Sequence, residues 1–384
     1  YQIESIFQAL KRKRLIIEIP TSGGKSLSIY AIIRYLFSEN KRILVVLPRS
    51  SLVEQLYNDF RDFSTKNGWD VEANCARHYS GMPKMFEKNI ILTTWQSIFR
   101  NPKQWFINQS FDVAIFDECQ VAKAESIKNI LEKLPKTPWK IGFTGTLANS
   151  NTHRLLIEGL LGSAFSPIST KELMDKKQIS NLKIKSIILD YPEEIKKQCT
   201  RLEYQKEMDF LITNQKRNKF IVNLAKATKN TTLLISNYVE KHCDVFYEYL
   251  INNPGDKKIF YMTGRTDIKT RENIRNAMKT EQNSILIASY GIFSTGINLP
   301  QISTIIFASP SKSSIRVLQS IGRGLRLAEN KTHCTLFDIS DNLCYRKYQN
   351  HTFRHANIRM KLYLEQSFDI TVTKVNLDNP QINQ

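Results

Sequence analysis

Leu15-Ile16-Ile17-Glu18-Ile19-Pro20-Thr21-Ser22-Gly23-Gly24-Lys25-Ser26 carries an apolar run into a proline, then through two glycines to a lysine and a serine. Leu15–Ile19 has the length and composition of a buried strand, and Gly24–Leu36 behind it reads as a helix. A Gly-rich turn between strand and helix presents backbone N–H groups to an anion, and the helix N-terminus adds partial positive charge. Gly23 and Gly24 permit close approach, with Thr21 and Ser22 completing the loop. Lys25 is placed to neutralise phosphate oxygens, and the Ser26 hydroxyl to ligate Mg²⁺. The first glycine of the general G-x-x-x-x-G-K-[ST] pattern is absent, because Ile19 stands in its place.

The same rhythm continues outward from this loop. Ile43–Leu47, Ile90–Thr93, Val113–Phe116 and Lys140–Thr144 read as further buried strands, with helices at Ser51–Phe60 and Ser126–Leu134. It then restarts: strands at Lys183–Leu189, Thr232–Ser236, Lys258–Tyr261, Ser284–Ala288, Thr304–Ala308 and Cys334–Asp338, helices at Glu203–Thr228, Glu240–Ile251, Thr270–Thr280 and Ser314–Leu325. Such alternation implies α/β architecture with two doubly wound parallel sheets. The expected divisions are a first domain over 1–165, a linker over 166–182, a second domain over 183–344 and a basic helical tail over 345–384.

Composition narrows the function. At 384 residues the chain can build two cores. A formal net charge of +19 points to a polyanionic partner. No apolar stretch approaches a membrane span, so no membrane partner is expected. The six scattered cysteines form no CxxC pair, which argues against zinc and disulfides and fits a reducing compartment. The chain starts at Tyr1 rather than Met, as a fragment lacking its true N-terminus would.

Asp117-Glu118-Cys119-Gln120 closes the run Val113–Phe116. Asp117 is the natural outer ligand of Mg²⁺, and Glu118 is placed to orient or deprotonate an attacking water. Gln120 offers a relay for the state of a γ-phosphate, while Cys119 reads as inert packing. Far downstream, Gln319-Ser320-Ile321-Gly322-Arg323-Gly324-Leu325-Arg326 sets Arg323 and Arg326 at i, i+3 on one helical face. Guanidinium groups reaching a γ-phosphate stabilise transition-state charge. The cofactors expected from these elements are ATP and Mg²⁺.

In this order the elements resemble superfamily 2 helicases, and the longer strings Thr94-Trp95-Gln96-Ser97, Pro102-Lys103-Gln104-Trp105-Phe106 and Tyr290-Gly291-Ile292-Phe293-Ser294-Thr295-Gly296-Ile297 resemble the phage UvsW branch-migration group, related to RecG and XPB-type motors. The resemblance runs from Tyr1 to about Asp338. It implies two RecA-like domains with the ATP site in the cleft between them. Tyr1-Gln2 is similar to the adenine-reading element, with the Gln2 amide on the base. Leu47–Gln55 resembles motif Ia, Thr93–Gln96 Ib/Ic, Phe143–Leu147 motif III and Leu234–Asn237 motif IV. Ser289–Asn298 resembles motif V, with Gly296 and Asn298 expected at the nucleotide. Gln319 to Arg326 is motif VI, which implies catalytic roles for Gln319, Arg323 and Arg326. Gln120 departs from the His that relatives often carry, but retains a donor and an acceptor.

A nucleic-acid track over the tops of both sheets would use Arg49, Ser50, Thr94 and Gln96 in the first domain. In the second it would use Asn237, Gly264, Arg265, Ser289 and Thr295. Hydroxyls and backbone amides grip phosphates without reading sequence. The expected partner is DNA, branched, forked or single-stranded, with RNA–DNA hybrids included. A monomer in the cytoplasm is expected, the host's if the chain is phage-encoded. The expected function is remodelling of branched DNA: fork regression, Holliday junction branch migration and R-loop unwinding. An RNA helicase or a duplex translocase of the same superfamily stays open as an alternative. So does an inactive basic scaffold, against which the intact Lys25, Asp117, Glu118, Arg323 and Arg326 speak.

Overall fold

Strands that are apolar at every position need helices on both faces of their sheet, and the computed structural model has this arrangement. It describes residues 1–82, 86–120, 124–147, 151–293, 299, 301–309, 313–327, 331 and 333–378. These divide into two units, Tyr1–Thr170 and Lys171–Gln384. No helix among the described residues is long and apolar enough to cross a membrane, and the six cysteines are free thiols.

In the first unit the described strands are β1 (Arg14–Glu18), β2 (Ile43–Leu47), β3 (Cys75–His78), β4 (Ile90–Thr94), β5 (Val113–Phe116), β6 (Trp139–Thr144) and β7 (Ala164–Phe165). They form one parallel sheet in the order β3-β4-β2-β5-β6-β1-β7. Alternate residues of one strand enter opposite cores. Leu15, Ile17, Ile43 and Val45 pack on one face, and Ile16, Leu44, Val46 and Phe116 on the other. Each such side chain contributes about 1.5–3 kcal/mol by leaving water. The register sets β5, β6 and β1 side by side, so three loops converge beyond their C-terminal ends, where open α/β sheets bind ligands.

The second unit repeats the plan with β8 (Asn181–Asp190), β9 (Thr232–Ser236), β10 (Lys258–Met262), β11 (Ser284–Ser289), β12 (Thr304–Phe307), β13 (His333–Asn342) and β14 (Asp369–Asn376). Their order is β10-β11-β9-β12-β13-β8-β14, again all parallel. Sequence patterning misses β3, β7 and β14. All three are edge strands, open on one side, and so lack the continuous apolar run of a central strand.

Two expectations need correction here. The helix expected over 203–228 is two helices, Tyr204–Thr213 and Gln215–Ala227. Asn214 leaves helical geometry between them, and its side chain caps the second helix by accepting from Arg217 N at 2.9 Å. The segment 345–384, expected as a helical tail, holds the helix His351–Glu365 and then β14, which pairs with β8 from Asp369↔Lys183 to Asn376↔Asp190. The Glu207 carboxylate accepts from His351 N at 2.8 Å and Thr352 N at 2.7 Å, stabilising the start of that helix.

Arg359 of the same helix is buried and paired with Asp338 of β13: Nε donates to Oδ2 at 2.8 Å and Nη2 to Oδ1 at 2.7 Å. Tyr363 adds a hydroxyl bond to Asp338 at 2.9 Å. Arg359→Met leaves a buried carboxylate without its cation and should cost about 3–5 kcal/mol, read as a lower unfolding midpoint. Asp338→Leu in the same chain should recover much of the loss. A double variant as unstable as the single would contradict this pairing argument.

Candidate active site

The loop after β1 is shaped by its own backbone. Gly23 N donates to Pro20 O at 2.9 Å, closing a tight turn. Ser22 and Gly24 both take positive φ, 70° and 79°, which turns successive N–H groups toward one concavity. Gly24 is required twice over: a Cβ there would lie 2.2 Å from Gln2 Nε2. Gln2 Nε2 donates to Gly24 O at 3.4 Å and the Tyr1 hydroxyl to Gly23 O at 2.9 Å. The first helix, Gln2–Arg12, thus braces the loop from behind. The next helix, Lys25–Ser38, starts directly after Gly24 and places Lys25 and Ser26 in its first turn.

The second loop leaves β5. Asp117 N bonds to Val46 O at 3.0 Å and Cys119 N to Phe143 O at 3.0 Å, pinning both ends of the Asp-Glu pair. Between them Glu118 is held at φ 48°, a conformation that costs a non-glycine residue about 1–3 kcal/mol. Its carboxylate is gripped from two sides. Lys25 Nζ lies 2.9 Å from Oε1, and Gln120 Nε2 donates to Oε2 at 2.6 Å. Gln120 is itself buried, and its Oε1 has no hydrogen-bond partner among the described residues. The third loop, after β6, brings Gly145 against the first. A Cβ there would be 3.1 Å from Lys25 Nζ and 3.2 Å from Thr21 Oγ1. Glu18 Oε1 accepts from Leu147 N at 3.0 Å, fastening this loop to β1.

Electrostatics follow from burial. Burial pushes the Asp117 carboxyl up to about 7, Glu118 beside it adds to the rise, and the Lys25 ammonium opposes it. Lys25 stands above its ordinary value: burial acts against its charge, but Glu118 and Asp117 outweigh that penalty. Burial, reinforced by the same two carboxylates, lifts the Cys119 thiol far above its usual range, so it is no nucleophile. Once Asp117 ionises, two carboxylates facing one ammonium leave a negative excess that suits a divalent cation. Among the described residues no group of three or more His, Cys, Asp or Glu side chains is set for a metal. Mg²⁺ is bound by few protein ligands and otherwise by waters and phosphate oxygens, so such a cluster is no test of it. Ser26 and Asp117 are the donors of the right chemistry.

The other expected site residues fall into separate groups. Arg49 and Ser50 are exposed at the start of the helix Ser50–Ser64. Next to them, across the β2–β4 pair, Gln96 Nε2 donates to Pro48 O at 3.1 Å, and Thr94 Oγ1 lies 2.8 Å from Ser97 Oγ. Thr94 is buried, so its side chain is not on the surface. In the second unit Asn237, Gly264 and Ser289 stand at or just beyond the ends of β9, β10 and β11, which are neighbours. Ser289 is buried, and Arg265 is paired with Glu240. Thr295, Gly296 and Asn298 lie outside the described residues.

Gln319 and Arg323 lie on the helix Ser314–Gly324, with their side chains outside what is described. Arg326 is beyond the helix end, so the expectation of two arginines on one helical face is corrected. Gly324 is the last residue of the helix. It packs so tightly on Ile305 and Cys334 that a Cβ would sit 2.6 and 2.8 Å from their side chains. Lys331 Nζ then takes the terminal carbonyls, Gly324 O at 2.5 Å and Arg326 O at 3.0 Å. The Tyr1 hydroxyl bond to the phosphate loop escapes sequence reading, because nothing local to Tyr1 specifies a partner 22 residues away.

Residues 1–149 match the family described as type III restriction enzyme, res subunit, and residues 215–328 the helicase conserved C-terminal domain. The chain is 31% identical over 391 residues to the ATP-dependent DNA helicase uvsW of Enterobacteria phage T4, an alignment covering 98% of this chain and 77% of that protein. It is 25% identical over 365 residues to the DNA 3'-5' translocase XPB2 of Sulfurisphaera tokodaii, covering 85% and 78%. The fragment structure of a putative HsdR subunit of a type I restriction enzyme from Vibrio vulnificus matches with TM-score 0.70 at 17% identity. It covers 100% of this chain and 68% of that one, a likeness of fold.

Proposed function

This chain belongs to the superfamily 2 helicases, in the group of the phage UvsW enzyme, and is an ATP-dependent DNA helicase or translocase; we propose that it remodels branched DNA by fork regression, branch migration and R-loop unwinding. The observation that carries the motor reading is the cluster at the phosphate loop, with Lys25, Asp117, Glu118 and Gln120 gathered beside its N–H groups. Substrate choice rests on the 31% identity to the T4 DNA helicase.

In this reading the loop Thr21–Lys25 binds the triphosphate, Gln2 reads the adenine, and Ser26 and Asp117 hold Mg²⁺. Glu118 orients the attacking water and accepts its proton, and the strained backbone at this residue is spent on aiming the carboxylate. Gln120 fixes the second oxygen of that carboxylate, and its Oε1, which has no hydrogen-bond partner among the described residues, reports the nucleotide state. Gly296 and Asn298 add contacts to the nucleotide. Gln319, Arg323 and Arg326 act at the γ-phosphate, where the two guanidinium groups neutralise charge as the bond breaks and the Gln319 amide adds a neutral hydrogen bond. Bound ATP·Mg²⁺ supplies the phosphoanhydride whose cleavage drives movement. Arg49, Ser50, Thr94, Gln96, Asn237, Gly264, Arg265, Ser289 and Thr295 hold sugar-phosphate without reading bases.

ATP turnover and strand separation should be measured on forks, four-way junctions, R-loops, plain duplex and RNA. We expect forks and junctions to stimulate turnover most, with little dependence on base sequence. Strongest stimulation by RNA would favour the RNA-helicase alternative. Binding should also weaken by about 10³–10⁵-fold between 50 and 200 mM salt if 6–10 phosphates are held. A flat salt response would remove phosphate contact as the main grip.

A further inference from the structure

The motif IV segment Leu234–Asn237 takes in Ser236, the last residue of β9, and soon after it the chain enters a single π-helical turn, Val239–Cys243. Such turns are rare and cluster at functional sites. This one carries His242 into the interior, where it is fully buried. His242 Nδ1 lies 2.8 Å from Ser236 Oγ and 3.1 Å from Ser309 Oγ, and the two hydroxyl oxygens are 2.9 Å apart. On the other side of the ring, Nε2 lies 3.2 Å from Asn218 Oδ1.

The tautomer follows from these partners. Asn218 Nδ2 donates to Ile212 O at 2.8 Å, so its Oδ1 faces the ring as an acceptor and Nε2 carries the hydrogen. Burial, with the Arg217 guanidinium nearby, holds the ring well below its ordinary pKa and therefore neutral. Nδ1 is then an acceptor with one lone pair and two hydroxyls competing for it. Either Ser236 donates to the ring and Ser309 to Ser236, or Ser309 donates to the ring and Ser236 to Ser309. The triangle thus has two discrete hydrogen-bond arrangements.

Its third corner has a destination. Ser309 and Ala308 follow β12 and lead toward the helix Ser314–Gly324 that bears Gln319 and Arg323. Ala308 is strapped independently: Arg217 Nη2 donates to Ala308 O at 2.8 Å, while Arg217 forks onto Asp341 through Nε at 2.8 Å and Nη2 at 3.0 Å. Arg217 is fully buried, and its Nη1 has no hydrogen-bond partner among the described residues.

We propose that His242, with Ser236, Ser309, Asn218 and Arg217, is a buried two-state relay joining the nucleic-acid end of motif IV to the segment that sets the motif VI helix. His242 and Ser309 are positioning residues, touching neither nucleotide nor DNA. Displacement of Ser236 when the adjacent Asn237 takes a phosphate would hand the Nδ1 lone pair from one serine to the other and shift Ala308–Ser309. The inference rests on the motor reading above, and coupling in such a device resides in an element with two defined arrangements.

The test uses Ser309→Ala and His242→Asn in the full chain, with three readouts: ATP turnover without DNA, its stimulation by forked DNA, and fork affinity with and without a non-hydrolysable ATP analogue. We expect Ser309→Ala to leave DNA-free turnover and the unfolding midpoint near wild type. Stimulation should fall at least tenfold, and the nucleotide-dependent change in fork affinity should shrink toward onefold. His242→Asn, which keeps a polar atom near the Nδ1 position, should retain more coupling than Ser309→Ala. Unchanged stimulation and coupling in both variants would overturn the relay. Equal losses of stability and DNA-free turnover with the coupling ratio intact would also overturn it, since they mark a purely structural role. A wild-type chain that DNA does not stimulate would instead refute the motor reading.

Discussion

Glu118→Gln is expected to lower ATP turnover by about 10²–10⁴-fold, the range that a positioned general base contributes, while ATP and DNA still bind. The substitution keeps the length and shape of the side chain. It also keeps an oxygen for Lys25, now 2.9 Å from Oε1, and tolerates the φ of 48° no worse than glutamate does. What it removes is the basic carboxylate that takes a proton from water. It also takes one negative charge away from Asp117, whose carboxyl is raised partly by Glu118. Asp117 should therefore ionise more readily in the variant, and Mg²⁺–ATP affinity should not collapse. Phosphate release under saturating ATP, with nucleotide binding measured in parallel, separates the two effects. Turnover within threefold of wild type would remove Glu118 from the chemistry.

Arg323→Ala carries the second large effect, a drop of about 10³–10⁵-fold in kcat if this guanidinium stabilises charge on the γ-phosphate. Arg323→Lys should recover little, because an ammonium lacks the planar fork that meets two phosphate oxygens at once. The helix should survive either change. Its end is fixed by Gly324 against Ile305 and Cys334, and by Lys331 on the last carbonyls. An unfolding midpoint near wild type alongside the loss of kcat would identify a chemical role. A kcat within tenfold of wild type would assign the γ-phosphate contact elsewhere, with Arg326 the next residue to test.

Central strands were legible because burial on both faces demands unbroken runs such as Ile43–Leu47. The edge strands β3, β7 and β14 were not, since one open side admits Arg77 in β3 or Lys374 in β14, whereas the edge strand β10 kept enough of an apolar run to be read. That Lys25 and Glu118 each sit beyond the end of an apolar strand could be read ahead, but their ion pair, across 93 residues, could not. Arg217 and Arg359 could not be read in this way. Charged residues on helices are expected in water, and only the finished fold reveals Asp341 and Asp338 buried opposite them. The same holds for Asn214, whose side chain breaks one anticipated helix into two, and for the Tyr1 hydroxyl that steadies the phosphate loop.

Phosphate release from ATP on forked DNA, compared between the wild-type chain and Lys25→Ala, bears most directly on the central claim that this cluster powers a DNA motor. The account predicts rapid release that forked DNA accelerates in the wild type. It predicts near-background release in Lys25→Ala, which should still hold the fork. Release from Lys25→Ala at the wild-type rate, or a wild-type rate indifferent to DNA, would contradict it.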